Sequence, residues 1–516
     1  MYRTLAAALL CALFSASSAS ARESSGDLPS QLDTQLQVNR ERYGIAGQAV
    51  LVAQNGHLLY LGASGERDPA THAVATVDSI FAAQSMAKLL TSTLVMQLVD
   101  QGTLDLDAPA SRYVPNLPTA WQAIPVRDFL NHSSGIAEYY DRVDNRWVSK
   151  GYPGVAPDLA AALKVAGAAP MQFATGSRVQ YTQANYLVLT ALLEAHYRRP
   201  YPDIARERIL RPLKMRSTSW GMDSVPAARA AVPYTGKDGA LQTADEDPWP
   251  RYGWGHADLQ TTAGDMNRFL QALATGKLVR TATLEKLWQP QKLANGGSNF
   301  FSTGWDTTRS DGYTQVGHDG GTRVRARLAY KGSLANGYWV FVYLTNGSAR
   351  NVWSSTLVES TMAVAAPQDF AHALLSERLI AYASDEAAGA AQTMRDWLQD
   401  NNRITGSERE RAINASGYAI RESLGAGKAL KVFALNTDLY PDSANAWDSL
   451  AECHSALGHA EIAKAMYGKA SQPAEQSKNL KPVDFSIPQK WTKIYSNRPA
   501  IQSMPPTQST KDIAIE

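Results

Sequence analysis

Two apolar runs in residues 48–65, QAVLVAQ and HLLYLGASG, flank Asn55-Gly56. Asn-Gly between strand-like runs is the strongest short turn signal, so the segment predicts a β-hairpin. Residues 82–101 carry Leu89, Leu90, Leu94, Met96 and Leu98. Apolar residues on so many sides predict a helix buried nearly all round, with Gly102 closing it. A long mixed region of short helices and Gly/Pro loops follows, to about residue 276. Two more strand-like runs lie in RVRARLAYKGSLANGYWVFVYLTNG, residues 323–347, with a turn around Asn336-Gly337. Strands at both ends with helices between predict an α+β unit over residues 24–365. Its antiparallel sheet is assembled from distant segments and covered by helices.

The pattern changes after Ala365-Ala366-Pro367, where the chain becomes alanine-rich and helical. Ile413 and Trp447 are 34 residues apart, as are Gly417 and Ala451, Ala429 and Ala463, and Phe433 and Tyr467. Residues 368–475 therefore look like a helical region with two tetratricopeptide-like repeats, in which small residues let paired helices approach. A generic helical hairpin is the plainer alternative. Residues 476–516, rich in Pro, Ser, Lys and Gln, read as a poorly ordered tail.

Length and composition add three constraints. A chain of 516 residues is too long for one compact domain. Net charge is +2, which points to neither a nucleic acid nor an anionic membrane. The N-terminus reads as a signal peptide over residues 1–21, with Arg3, an apolar run over residues 5–14 and the small-x-small site Ala19-Ser20-Ala21. That run is too short to span a membrane as a helix. Export to the periplasm or beyond is expected, with no transmembrane segment in the mature chain. Of the two cysteines, Cys11 would leave with the signal. Cys453 would then have no intramolecular partner, and stability must come from packed cores.

Candidate chemistry begins at Ser85-Met86-Ala87-Lys88, which the pattern places in the first turn of the buried helix. Ser85 and Lys88 would share one face. A buried lysine of depressed pKa can take a serine's proton, or help another base do so. Alone the motif is weak, because about one or two Ser-x-x-Lys matches arise by chance in a chain this long. Three further segments change its weight. They are FLNHSSGIAEY at 129–139, FATGSRVQYTQANYLVL at 173–189 and GHDGGT at 317–322.

Together and in this order, the four segments resemble the serine β-lactamase and penicillin-binding-protein superfamily, nearest its class C and D-alanyl-D-alanine carboxypeptidase/esterase branch. AGDMNRF at 263–269, FSTGWD at 301–306 and Thr345-Asn346 match as well. The resemblance covers most of residues 30–350. It implies a β-lactamase-like sheet flanked by helices plus an all-helical subdomain, and catalysis without a cofactor. Ser85 would be the acylated nucleophile, and Lys88 would hold or relay its proton. Tyr181 matches the tyrosine of the Tyr-x-Asn motif and would share acid/base duty. His318-Asp319-Gly320 matches the family's Lys-Thr-Gly motif, where esterase-like relatives carry His-x-Gly. His318 would then bond Tyr181 or a substrate carboxylate. Backbone N–H groups of Ser85 and Gly321 would form the oxyanion hole, where glycine at 321 would let substrate approach the strand edge closely, and Gly320 of the motif would belong to the same substrate-binding set. Whether Lys88 or Tyr181 is the base stays open.

Two departures bear on substrate. Gln183 stands where the family has asparagine, and Ala257-Asp258-Leu259 replaces a frequent Gly-Gly-Leu. Asp258 reads as an exposed loop residue or as a carboxylate near the site. His132 is expected to organise a buried loop rather than react. Arg323 and Arg325 read as charges on an edge strand, or as a fork for a carboxylate. No metal-ligand or phosphate-loop pattern occurs. The expectation is an exported serine hydrolase that cleaves small peptides with D-residues, peptidoglycan fragments, esters or β-lactams. The rival is a catalytically weak, penicillin-binding-like protein that binds cell-wall peptide. A protein partner on the helical repeats fits either reading.

Overall fold

Asn55 (φ 50°) and Gly56 (φ 84°) both adopt the left-handed conformation that a two-residue hairpin turn needs. Strands Gly47–Gln54 and His57–Asp68 pair antiparallel across them. Gly47–Gln54 pairs on its other side with Tyr338–Thr345, Gln48 lying opposite Thr345. Sequence-distant segments thus join in one sheet, as the hydrophobic pattern predicts. Across its eight strands the order is Phe301–Ser302, Trp305–Ser310, Tyr313–Gly320, Val324–Tyr330, Tyr338–Thr345, Gly47–Gln54, His57–Asp68 and Ala73–Val74. This is the α+β, β-lactamase-like architecture expected. The computed structural model describes residues 27–143, 146–237, 239–244 and 247–471. The segment 1–21, expected to be a signal peptide, and the expected tail 476–516 lie outside the described residues.

Successive strand residues point to opposite faces, so the sheet carries two apolar layers. Leu51, Leu328, Val340 and Val342 face a large core shared with the helices Ala87–Asp100 and Ala263–Ala274. Val50, Val52, Phe341 and Tyr343 face a second core with Leu32 and Leu36 of helix Leu28–Tyr43 and Leu357 and Met362 of helix Ser354–Ala365. Burying each such side chain contributes roughly 1.5–3 kcal/mol.

Helix Ala371–Ser384 packs on Ser354–Ala365 and on Gly406–Leu424. A third core, with Leu379, Ile413, Ile420 and Phe433, holds the C-terminal helices together. Gly417 shows why a small residue recurs there: a Cβ on it would lie 2.5 Å from the Phe433 ring. The counterparts Ala451 and Ala463 are buried too, whereas Tyr467 is 38% exposed. No helix among the described residues is long and apolar enough to cross a membrane.

One predicted boundary is wrong. The helix expected over 82–101 starts at Ala87, and Phe81–Gln84 is a strand paired with Leu259–Thr261. A distant strand partner overrides the local helical pattern. Gln84, at φ 49°, turns the chain between the two elements.

Candidate active site

That boundary sets the position of Ser85. It lies not in the first helical turn but in the tight turn just ahead of it, where Lys88 N donates to Ser85 O at 3.0 Å. The start of a 14-residue helix lies immediately beyond, with its positive dipole end toward the serine. Ser85 is partly exposed and Lys88 fully buried beneath it. Lys88 Nζ is 3.4 Å from Ser85 Oγ and donates to the His256 carbonyl at 2.7 Å. Burial pushes the Lys88 pKa well below its ordinary value, and the charge of Glu138 opposes that shift. An amine whose pKa is so lowered gives up its proton more readily and, once neutral, can accept one from a neighbouring hydroxyl.

Aromatic rings enclose this pair. Lys88 Nζ stands 4.9 Å from the centre of the Tyr181 ring and 5.3 Å from that of Tyr186. His132 packs on Tyr181 with ring centres 4.4 Å apart. His318 lies 6.1 Å from Tyr181, and Phe301 is 6.0 Å from both rings. Burial lowers the His132 and His256 pKa values well below the ordinary range, and the Lys88 charge adds to it. His132 is therefore a neutral structural group. Its Nδ1 is held by Asn185 Nδ2 at 3.1 Å and by the Thr182 N–H at 3.3 Å. Asn185 Oδ1 in turn accepts from Ser134 Oγ at 2.5 Å, which commits this amide to the scaffold.

The end of strand Tyr313–Gly320 completes the wall. His318 is buried, and burial together with Lys88 lowers its pKa to about 3, so the ring is neutral. The Asp319 N–H donates to His318 Nδ1 at 2.9 Å, while Nε2 is buried with no hydrogen-bond partner among the described residues. A Cβ on Gly320 would lie 2.4 Å from Ala83 O, so only glycine permits this approach to the segment before Ser85. A Cβ on Gly321 would lie 4.0 Å from Gln84 Cγ. Thr322 Oγ1 fixes the turn by donating to Ala82 O at 2.6 Å. Gly321 thus stands near the side chain of Gln84, the residue before Ser85.

Gln183 begins the helix Ala184–Tyr197, and its side-chain oxygen is buried with no hydrogen-bond partner among the described residues. Sequence reasoning passed over Glu138. Its buried carboxylate accepts from Thr182 Oγ1 at 2.8 Å, Gln183 N at 2.7 Å and Ala184 N at 3.1 Å. It clamps the Tyr181–Gln183 segment and is the carboxylate that Lys88 feels. No local motif marks it, because apart from the adjacent Tyr139 N–H its partners lie more than forty positions away.

Two sequence readings are corrected. Asp258 is not an exposed loop residue: it is buried at φ 62°, one position before the residue paired with Gln84, and burial raises its pKa to about 6. Arg323 and Arg325 do not mark an edge, because the strand Val324–Tyr330 is paired on both sides. Arg325 instead donates to Asp319 at 2.5 Å and lies 3.4 Å from Asp306. The buried Arg327 bonds Asp306 and reaches Asp319 at 3.2 Å. Asp319 also accepts from Ser354 Oγ at 2.7 Å. Burial alone would raise the Asp319 pKa, yet Arg325 and Arg327 bring it below the usual range.

A model of the Beta-lactamase family matches residues 32–366. Penicillin-binding protein 4 of Amycolatopsis lactamdurans is 27% identical over 329 residues, covering 60% of this chain and 82% of that protein. Esterase EstB of Burkholderia gladioli is 31% identical over 211 residues, covering 38% of this chain and 52% of the esterase. The chain thus matches about half the length of that relative. Among solved structures, the octameric penicillin-binding protein homologue from Pyrococcus abyssi superposes with a TM-score of 0.54 at 20% identity. The alignment covers 69% of this chain and 82% of that one, a likeness of fold.

Proposed function

Because the chain belongs to the beta-lactamase family, we propose that it is an exported serine hydrolase that cleaves an ester or amide through an acyl-Ser85 intermediate. The observation that carries this reading is the desolvated Lys88 amine, 3.4 Å from Ser85 Oγ. In the proposed reaction Ser85 Oγ bonds to the substrate carbonyl carbon while its proton passes to Lys88 Nζ. The carbonyl oxygen takes up the negative charge and is stabilised by the N–H groups of Ser85 and Gly321, an effect of a few kcal/mol. Collapse breaks the bond to the leaving group, which receives the proton from Lys88 directly or through the Tyr181 hydroxyl. Water then attacks the acyl carbon, gives its proton to the same relay, and releases the acid and Ser85. His318 Nε2 and Gln183 Oε1, buried and without hydrogen-bond partners among the described residues, are the polar atoms proposed to meet the substrate.

Substrates are placed in the ester and D-peptide amide class, in line with a class C-like carboxypeptidase/esterase relationship. The apolar N-terminal run supports export. Residues 24–365 are assigned as the hydrolase body and 368–475 as a tetratricopeptide-like region able to hold a protein partner. A chromogenic ester tests the enzymatic claim. Wild type should give a stoichiometric burst, with the adduct mapping to Ser85. No adduct with any acyl donor supports the rival, a binding protein.

A further inference from the structure

Behind the sheet, on the face opposite His318, lies a cavity of about 550 Å³. Its floor is the Asp306, Asp319, Arg325 and Arg327 cluster, and Val358, Glu359 and Met362 of helix Ser354–Ala365 form one wall. Helix Gly406–Leu424 roofs it with Ala412, Ala415, Ser416 and Ala419, spaced to share one helix face. Larger apolar residues at these positions would fill the space, as protein interiors ordinarily do. Neither Ser85, Lys88 nor Tyr181 lines it.

The charges around the cavity are accounted for, except one. Arg325 and Arg327 bond Asp306 and Asp319. His372 pairs with Asp311 at 2.8 Å and lies 3.4 Å from Glu408, two carboxylates outside the lining. Arg323 donates to Asn351 at 2.6 Å, and Asn351 donates to Glu422 at 3.4 Å. Glu359 accepts no hydrogen bond among the described residues. Burial raises its pKa, and the charges of Arg325, His372 and Arg327 hold that rise back. With His372 balanced by its own partners and Glu422 lying 3.9 Å from Arg421, also outside the lining, Glu359 is the lining carboxylate left without a bonded or ion-paired opposite among the described residues. The unmatched group is an acceptor beside apolar walls. It lacks an ammonium-type donor, and a volume of this size suits a small organic molecule.

We infer that this cavity is a second ligand site, separate from Ser85, that takes a small amphipathic amine with its ammonium on Glu359 and its apolar body against Val358, Met362 and the alanine roof. Phenethylamine is the probe, with N-acetylphenethylamine as the uncharged control. Both are titrated calorimetrically into the full-length Ser85→Ala chain, so the outcome does not depend on hydrolysis at Ser85. The inference expects saturable binding of a single equivalent of phenethylamine and none of the control. Glu359→Gln should weaken binding about tenfold or more, the loss of one charge-assisted contact. Ala415→Leu, which fills the roof and leaves Glu359 in place, should weaken it independently. Absence of saturable binding overturns the inference. So does binding that both substitutions leave unchanged, or equal binding of the acetylated control.

Discussion

The strand Tyr313–Gly320 has two differently charged faces. On one side His318 looks toward Lys88, an amine buried with a carbonyl for company and no carboxylate bonded to it. On the other side Asp319 sits among Arg325, Arg327 and Asp306, where every charge has a bonded opposite. Both clusters are buried, yet burial acts oppositely in them. Without a partner, desolvation removes the charge and leaves a base. With partners, the charges persist and the cluster fixes geometry. Reactivity is thus gathered where pairing is withheld, one residue away from where it is complete.

The largest expected effect is at the proposed nucleophile. Ser85→Ala should lower kcat/KM on the order of 10⁶-fold while leaving the thermal midpoint close to that of wild type. Lys88→Met comes next and separates activity from stability. Loss of the proposed base should lower kcat about 10²–10⁴-fold. Stability should rise, because a desolvated amine is removed. The sign follows from linkage. An unfolded lysine at its ordinary 10.5 holds its proton more tightly than folded Lys88, so wild-type stability climbs with pH from the lowered folded pKa toward 10.5. The gain from Lys88→Met is therefore larger on the acid side, declines as pH rises and fades above 10.5, which urea titrations across pH will read.

Asp319→Ala should do the reverse. It leaves the guanidiniums of Arg325 and Arg327 to share Asp306 alone and should cost about 3 kcal/mol in urea unfolding, with far less change in kcat per folded molecule. If Lys88→Met destabilises and Asp319→Ala does not, the contrast between the two faces fails. The smallest effect is at Glu138, whose charge raises the Lys88 pKa against the larger effect of burial. Glu138→Gln should move the acid limb of kcat/KM to lower pH, since Lys88 would then protonate later as pH falls. A limb shifted upward would remove Glu138 from this role.

The hairpin at Asn55-Gly56 and the strand pair of residues 323–347 were legible because turn chemistry and periodicity are local. The four motif segments were legible because their order is specific. What escaped the sequence depends on partners far along the chain. Phe81–Gln84 reads as the start of a helix until Leu259–Thr261 pairs with it. Glu138 has no signature, because its ligands are backbone N–H groups at Gln183 and Ala184. Asp258 looks like a loop residue until strand pairing buries it, and alternation alone could not give Arg325 and Arg327 their carboxylates.

The central claim is that Lys88 is a neutral base beside a reactive Ser85. The direct measurement is the rate at which a fluorophosphonate labels Ser85, followed by peptide mapping across pH. Labelling should be confined to Ser85 and reach its plateau well below pH 10.5, falling as the solution is made more acidic than that plateau. Labelling elsewhere, or a rate that keeps climbing toward the ordinary lysine value of 10.5, would contradict the account.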